Sequence, residues 1–336
     1  MDQSRRRWSA SAVLSLLAAV LLGFAAFLPL FIGDSDFPGA ESGSTFSAGM
    51  NGWNSGFGLG YQLLAGAAVA VAAGVVAAWG SRKGGLVLLI ASAAFNLGVG
   101  SIAGSALVTY AKLFPEFDGP EGRITADLGV GVWFLCAGLL LAFAAVALVL
   151  TPADLDLANR RWGMAATLSL VAAALLTLAA FLPHFSTEWG EPWGDGGRIT
   201  ANAWGITQTI GALPGRGMPY GPEFSSGYQQ LFGAALALAA GLLALVAARK
   251  SARGRSGSMV MLVAAGSFNL GFAPLLVEML SHYFTMFPAQ SRSLRLFDVG
   301  LGIWCLFLGV LFALLATVAV LSRKPAEETL PATTGA

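Results

Sequence analysis

Eight apolar segments, each of about 20 residues or more, constrain the fold of this chain more than any other feature. They carry almost no charge in their interiors, and we place them at residues 9–32, 60–80, 86–112, 128–150, 162–183, 228–248, 258–284 and 298–321. A helix needs about 20 apolar residues to cross the roughly 30 Å hydrocarbon core of a bilayer, and unalternating runs of this length are helical. The sequence therefore predicts an all-α integral membrane protein with eight transmembrane helices.

The composition supports this class. Of 336 residues, 56% are hydrophobic and 11% are charged, whereas soluble domains carry about 25% charged residues. A net charge of +1 gives no reason to expect a nucleic acid, and we expect the lipid bilayer as the main partner. Cys136 and Cys305 lie within apolar segments, where free cysteines usually pack as small apolar residues. No metal or cofactor motif occurs, so we expect neither.

Short motifs recur in the same order along the two halves of the chain. The pairs are RRW at 6–8 and 160–162, AAFLP at 25–29 and 179–183, GYQ at 60–62 and 227–229, and FNLG at 95–98 and 268–271. Self-similarity of this kind is the signature of an internal repeat. We therefore expect a first four-helix repeat at 1–155, a second at 156–324, and a disordered cytoplasmic tail at 325–336.

The distribution of basic residues predicts the orientation. Thirteen of the 19 Lys and Arg residues lie in the N-terminus, the tail and the three loops that share one side of an eight-span topology. Basic residues mark the cytoplasmic side, which places both termini in the cytoplasm and the protein in a plasma membrane. Because each repeat has an even number of spans, the repeats are parallel. The longest loops, 33–59 and 184–227, then face outward.

A four-helix unit with a large first outer loop resembles, in outline, tetraspan proteins such as the claudins. The loop cysteines and the Gly-Leu-Trp signature of that family are absent here, so no claudin residue role is transferred. The elements FLPLF at 27–31 and NGW at 51–53, with spans rich in Ala and Leu, are similar to those of multi-span membrane proteins of actinobacteria. This resemblance implies a bacterial membrane protein and no particular activity.

Asn96 and Asn269, one in each FNLG motif, are the main polar residues at mid-membrane depth. An Asn in lipid gains by hydrogen bonding to a neighbouring helix, at about 0.6–2 kcal/mol. Either the two residues clamp helices together next to Gly98 and Gly271, or they line a path for a solute. We favour the clamp.

Glu278 and His282 are four residues apart and therefore share one helix face. Ionisable residues inside a membrane are functional candidates, but this pair lies near the outer end of its span. A polar pair reaching to the interface is the alternative that we favour over a proton-coupled role. His184 ends the fifth segment, where we expect it at the membrane interface, and Asp127 precedes a helix, where we expect it to cap free amides.

Polar and aromatic residues concentrate in the two long outer loops, which both contain an Asn-x-Trp element. The candidates for binding a partner there are Asn51, Trp53, Trp189, Trp193, Asn202 and Trp204. We expect a non-enzymatic scaffold or accessory protein whose outer loops bind a partner, in a membrane-protein complex or a homo-oligomer. A transporter or channel with its path between the repeats is the alternative, and a membrane enzyme is disfavoured because no acid and base converge.

Overall fold

The computed structural model describes residues 3–36, 46–50, 59–80, 82–113, 117–119, 122–150, 161–189, 197–210, 226–249, 252–273 and 300–322. Within them lie eight α-helices. In chain order they are α1 (Gln3–Phe27), α2 (Leu59–Trp79), α3 (Arg82–Leu113), α4 (Val130–Val149), α5 (Trp162–Phe181), α6 (Gly227–Arg249), α7 (Ala252–Phe272) and α8 (Leu301–Leu321).

Seven of these helices are long and apolar enough to cross a membrane, which indicates a multi-pass membrane protein. The exception is α7, whose first turn carries Arg253 and Arg255. The corresponding predicted span, the seventh at 258–284, includes residues 274–284, which lie outside the described part of the chain. The tail at 325–336 lies outside it as well.

Exposed aromatic side chains at both ends of α2 fit this membrane assignment. Tyr61 and Trp79 are both exposed and lie eighteen residues apart, or about 27 Å along a helix. Tyr and Trp are enriched at the two membrane–water interfaces, and this separation is close to the thickness of the hydrocarbon core.

The loops predicted to face outward form β-structure, which was not expected from the sequence. Seven strands occur in the described residues: β1 (Phe31–Asp36), β2 (Phe46–Met50), β3 (Phe117–Gly119), β4 (Gly122–Leu128), β5 (Phe185–Trp189), β6 (Gly197–Asn202) and β7 (Gly205–Ile210). They build an antiparallel sheet of order β2-β1-β4-β3 and a second one of order β5-β6-β7. Both sheets lie where we expected the outer side.

The two sheets share a short sequence. Both β4 and β6 begin with Gly-Arg-Ile-Thr-Ala, and each pairs antiparallel with the strand that follows the first helix of its half, β1 or β5. The Ile and Thr of this sequence are β-branched, and β-branched residues favour strands. The first sheet joins both outer loops of the first half, because β1 comes from one loop and β4 from the other.

Two of the differences between the predicted and the observed helix ends bear on the fold. The first segment was expected to reach residue 32, but α1 ends at Phe27, two residues before Pro29, and β1 begins at Phe31. The expectation that Asp127 caps α4 was wrong, because Asp127 lies in β4 and the N-cap residue is Gly129. The N–H groups of Gly129 and Gly131 donate to the carbonyls of Leu30 and Pro29, at 2.9 and 2.8 Å.

Helices of the first half pack closely where glycine faces leucine. A Cβ added to Gly74 of α2 would lie 2.9 Å from Leu16 Cγ of α1, and one added to Gly138 of α4 would lie 3.0 Å from Leu22 Cγ. At these separations an alanine would force the leucine to shift. Glycine therefore lets the helices approach this closely.

The same contacts occur in the second half, at the positions that the repeated motifs align. Gly241 of α6 faces Leu170 of α5, and Gly309 of α8 faces Leu176. The halves meet where α3 packs against α7, and one buried apolar cluster contains residues from both halves, among them Leu22, Val99, Leu176 and Phe272.

Candidate functional site: polar contacts of the helix bundle

Asn96 is fully buried, and its amide joins α3 to α2. Nδ2 donates to the carbonyl of Gly66 at 3.2 Å and to the carbonyl of Ser92, one turn back on the same helix, at 2.9 Å. Oδ1 accepts no conventional hydrogen bond from the described residues. It lies where a Cβ at position 66 would be, so it faces a Cα–H of Gly66, a weak hydrogen-bond donor.

Asn269 makes the matching contacts between α7 and α6. Its Nδ2 donates to the carbonyls of Gly233, at 3.3 Å, and of Ala265, at 2.8 Å. Its Oδ1 lies against Gly233, as that of Asn96 lies against Gly66. Each Asn therefore bonds to a helix of its own half and is closed off from solvent.

Hydroxyl side chains make further bonds between helices. Ser15 of α1 donates to the carbonyl of Ala70 of α2 at 2.8 Å, and Ser169 of α5 donates to that of Ala237 of α6 at 2.7 Å. Other donors of the same kind are Ser11 to Ala145, Ser258 to Leu243 and Thr317 to Leu262. All these donors use backbone carbonyls of neighbouring helices as acceptors.

The interface between the halves is formed by the glycines of the two FNLG motifs. A Cβ on Gly98 of α3 would lie 2.5 Å from the carbonyl oxygen of Phe268 of α7, and a Cβ on Gly271 would overlap the carbonyl oxygen of Phe95. The backbones of α3 and α7 are therefore in direct contact at this level. Small residues permit such close approach between membrane helices.

One polar side chain also crosses this interface. Gln229, in the first turn of α6, donates through Nε2 to the hydroxyl of Ser105 and to the carbonyl of Ser101 on α3. From the sequence, Gln229 was expected only to cap the start of its helix and was not among the candidate site residues, although its place in the repeated GYQ element was a usable signal.

His184 lies at the end of α5, as expected, but it is buried rather than open to water. Its Nε2–H donates to the carbonyl of Ala179 at 2.9 Å. Burial lowers the pKa of this imidazole, and the hydrogen bond to Ala179 opposes that shift. The aligned residue in the first half is Leu30, which is also fully buried.

Asn202 and Trp204 form a turn that attaches the second sheet to the helices. The backbone N–H of Trp204 donates to Asn202 Oδ1 at 2.9 Å, while Asn202 Nδ2 donates to the carbonyl of Phe181, the last residue of α5, at 3.3 Å. The N–H of Gly227, the first residue of α6, donates to the carbonyl of Ala203 at 2.9 Å. These contacts are within the chain.

The ring of Trp204 packs between two helix ends. Its centroid lies 5.0 Å from that of Tyr228, in an edge-to-face arrangement, and 6.0 Å from that of Phe181. A Cβ on Gly227 would lie 2.5 Å from the indole ring, so the start of α6 requires glycine. Trp204 Nε1 is buried and has no acceptor among the described residues.

Of the six remaining candidate site residues, the structure describes one, Trp189. Trp189 is the last residue of β5, opposite Gly197 in the register of the second sheet. The other five, Asn51, Trp53, Trp193, Glu278 and His282, lie outside the described residues.

Comparison with known proteins yields no relative: no family model, no curated protein and no solved structure matches this chain.

Proposed function

We propose that this protein is a non-enzymatic membrane scaffold or accessory protein whose outer loops bind a membrane-protein or cell-envelope partner. We further propose eight spans in a plasma membrane, arranged as two parallel four-helix repeats with both termini in the cytoplasm. The matching Asn96–Gly66 and Asn269–Gly233 contacts support the repeats, because a duplicated unit retains its internal hydrogen bonds.

The observation that carries the proposal is that polar side chains within the helices form hydrogen bonds to neighbouring helices. The amides of Asn96 and Asn269 and the hydroxyls of Ser15 and Ser169 donate to backbone carbonyls of helices in their own half. These donors stabilise helix packing, and the Oδ1 atoms of the two Asn residues are buried against Gly66 and Gly233, which favours a structural role over contact with a solute. The two antiparallel sheets add an ordered backbone platform on the side of the longest loops.

Affinity purification in a mild detergent, followed by mass spectrometry of proteins and lipids, tests the proposal. The informative variant replaces residues 190–196, which connect β5 and β6 and contain Trp193, with a Gly/Ser linker of equal length. A variant lacking residues 325–336 is the matched control. A partner that the wild type and the tail variant retain, but the loop variant loses, is the expected result. Capture that does not depend on the outer loops contradicts the proposal.

A solute path between the halves is the second candidate, and the contact of Gln229 with Ser101 and Ser105 favours it, because this contact puts polar groups at that interface. Uptake of ions and small solutes into proteoliposomes distinguishes the two functions. The scaffold predicts no uptake above that of empty liposomes. Uptake that the Glu278→Gln variant abolishes, with normal folding, would replace the scaffold with a transporter.

A further inference from the structure

The Asn202–Trp204 turn lies at the level where the lipid-facing surface of the second half ends. The helix α5 has 20 residues and is therefore about 30 Å long, which matches the hydrocarbon core. Its last residue, Phe181, accepts the hydrogen bond from Asn202. The turn therefore sits at the outer boundary of the hydrocarbon core.

The surface on either side of the turn changes from apolar to polar. Phe181 and Tyr228 are 59% and 72% exposed, and one turn closer to the middle of the bilayer the exposed side chains are Leu178 and Phe232. On the other side lies Asn202, which ends β6. The aromatic cluster of Phe181, Trp204 and Tyr228 thus continues the lipid-facing surface up to its polar edge.

We propose that this cluster is a lipid contact that seats the second sheet on the outer leaflet, with Trp204 at the boundary between headgroups and acyl chains. Trp and Tyr prefer this level because their rings are apolar at one end and polar at the other. The contact does not depend on the partner proposed above.

Quenching of tryptophan fluorescence by brominated lipids tests the proposal in reconstituted full-length protein. The difference between the emission of the wild type and that of Trp204→Phe isolates the contribution of Trp204. We expect phosphatidylcholine brominated near the headgroup to quench this difference more strongly than phosphatidylcholine brominated near the chain ends. A difference that neither lipid quenches, or that the deep bromines quench more, would overturn the proposal.

Two other tryptophans calibrate the measurement. Trp133, at the start of α4, is exposed toward the same outer boundary, and Trp162, at the start of α5, is 4% exposed. The Trp133→Phe difference should be quenched by the shallow bromines, and the Trp162→Phe difference should show the least quenching.

A second measurement keeps the proposal testable if Trp204→Phe folds poorly. A nitroxide attached at Tyr228→Cys, in a background without Cys136 and Cys305, reports its depth through collisions with oxygen and with a water-soluble nickel chelate. We expect an intermediate depth, at the headgroup boundary. Collisions dominated by the nickel chelate would show that the cluster faces water and would overturn the lipid contact.

Discussion

The Cα atom of Gly98 lies so close to the backbone of α7 that a Cβ on it would be 2.5 Å from the carbonyl oxygen of Phe268. Gly271 lies against Phe95 in the reciprocal way. The two copies of FNLG therefore contribute both an Asn that bonds within its half and a Gly that joins the halves.

Gly98→Ala should separate α3 from α7 and lower the stability of the protein in detergent. Overpacking of this kind costs about 1–3 kcal/mol, which outweighs the 0.5–1 kcal/mol or so that Ala gains over Gly in a helix. Thermal unfolding followed by intrinsic fluorescence measures the effect.

Gly104→Ala is the matched control, because this glycine is on the same helix and a Cβ there would have no described atom within 4 Å. Its Tm should stay equal to that of the wild type or rise. Equal Tm values for the two variants would show that the backbones of α3 and α7 are not in contact at Gly98.

The membrane helices were predictable from sequence, because long apolar runs that do not alternate form helices in lipid. Seven of the eight predicted segments correspond to helices able to cross a membrane. Asn96 and Asn269 were also identifiable, since a polar residue in hydrocarbon is conspicuous. Their acceptors were not, because no sequence rule assigns Gly66 rather than another carbonyl to Asn96.

The two sheets could not be predicted from the sequence for a physical reason. The strands are short, and glycine interrupts β1 and β2, at Gly33 and Gly49, so that neither shows an apolar alternation. Strand β1 pairs with β4, more than 80 residues away, as Phe31 does with Leu128. This pairing stabilises a strand whose local propensity is weak. The recurrence of Gly-Arg-Ile-Thr-Ala in β4 and β6 was the available signal.

A double-mutant cycle tests the contact between Asn96 and Gly66. Gly66→Ala should destabilise the wild type, because the new Cβ would overlap Asn96 Oδ1. In an Asn96→Ala background the same change should cost less, since the amide is gone. We expect a coupling energy of about 1 kcal/mol or more, as for other residues in contact.

Additive effects in this cycle would show that the Asn96 amide does not lie against Gly66 of α2. The equivalent cycle with Asn269 and Gly233 should give a similar coupling if the halves are repeats. A large coupling in one half and none in the other would contradict a repeat that retains its internal contacts.

The proposed topology predicts where single cysteines react. In a background without Cys136 and Cys305, cysteines that replace Ser44 and Ser225 should both be labelled by a membrane-impermeant maleimide in intact cells. A cysteine that replaces Ser4 should react only after the cells are permeabilised. Protection of Ser44→Cys and Ser225→Cys in intact cells would reverse the orientation.

The lowered pKa of the buried His184 leads us to expect a loss of folding stability in mild acid. Burial holds the pKa of its imidazole below the usual value of 6.5, so the unfolded chain binds a proton at a higher pH than the folded one does. Stability is then constant above about pH 6.5 and falls as the pH drops below it toward the folded-state pKa. Thermal unfolding in detergent at about pH 7.5 and about pH 5.5 measures this change.

His184→Leu is the informative variant, because the first half has Leu30 at the aligned position, where it packs beside Gly131 as His184 packs beside Gly302. This variant should fold and should show a smaller decrease in Tm between the two pH values than the wild type. Any contribution of His282 is common to both proteins and cancels in the comparison. An equal decrease in both would mean that the proton taken up on unfolding binds elsewhere, and that the buried imidazole contributes nothing to the acid sensitivity.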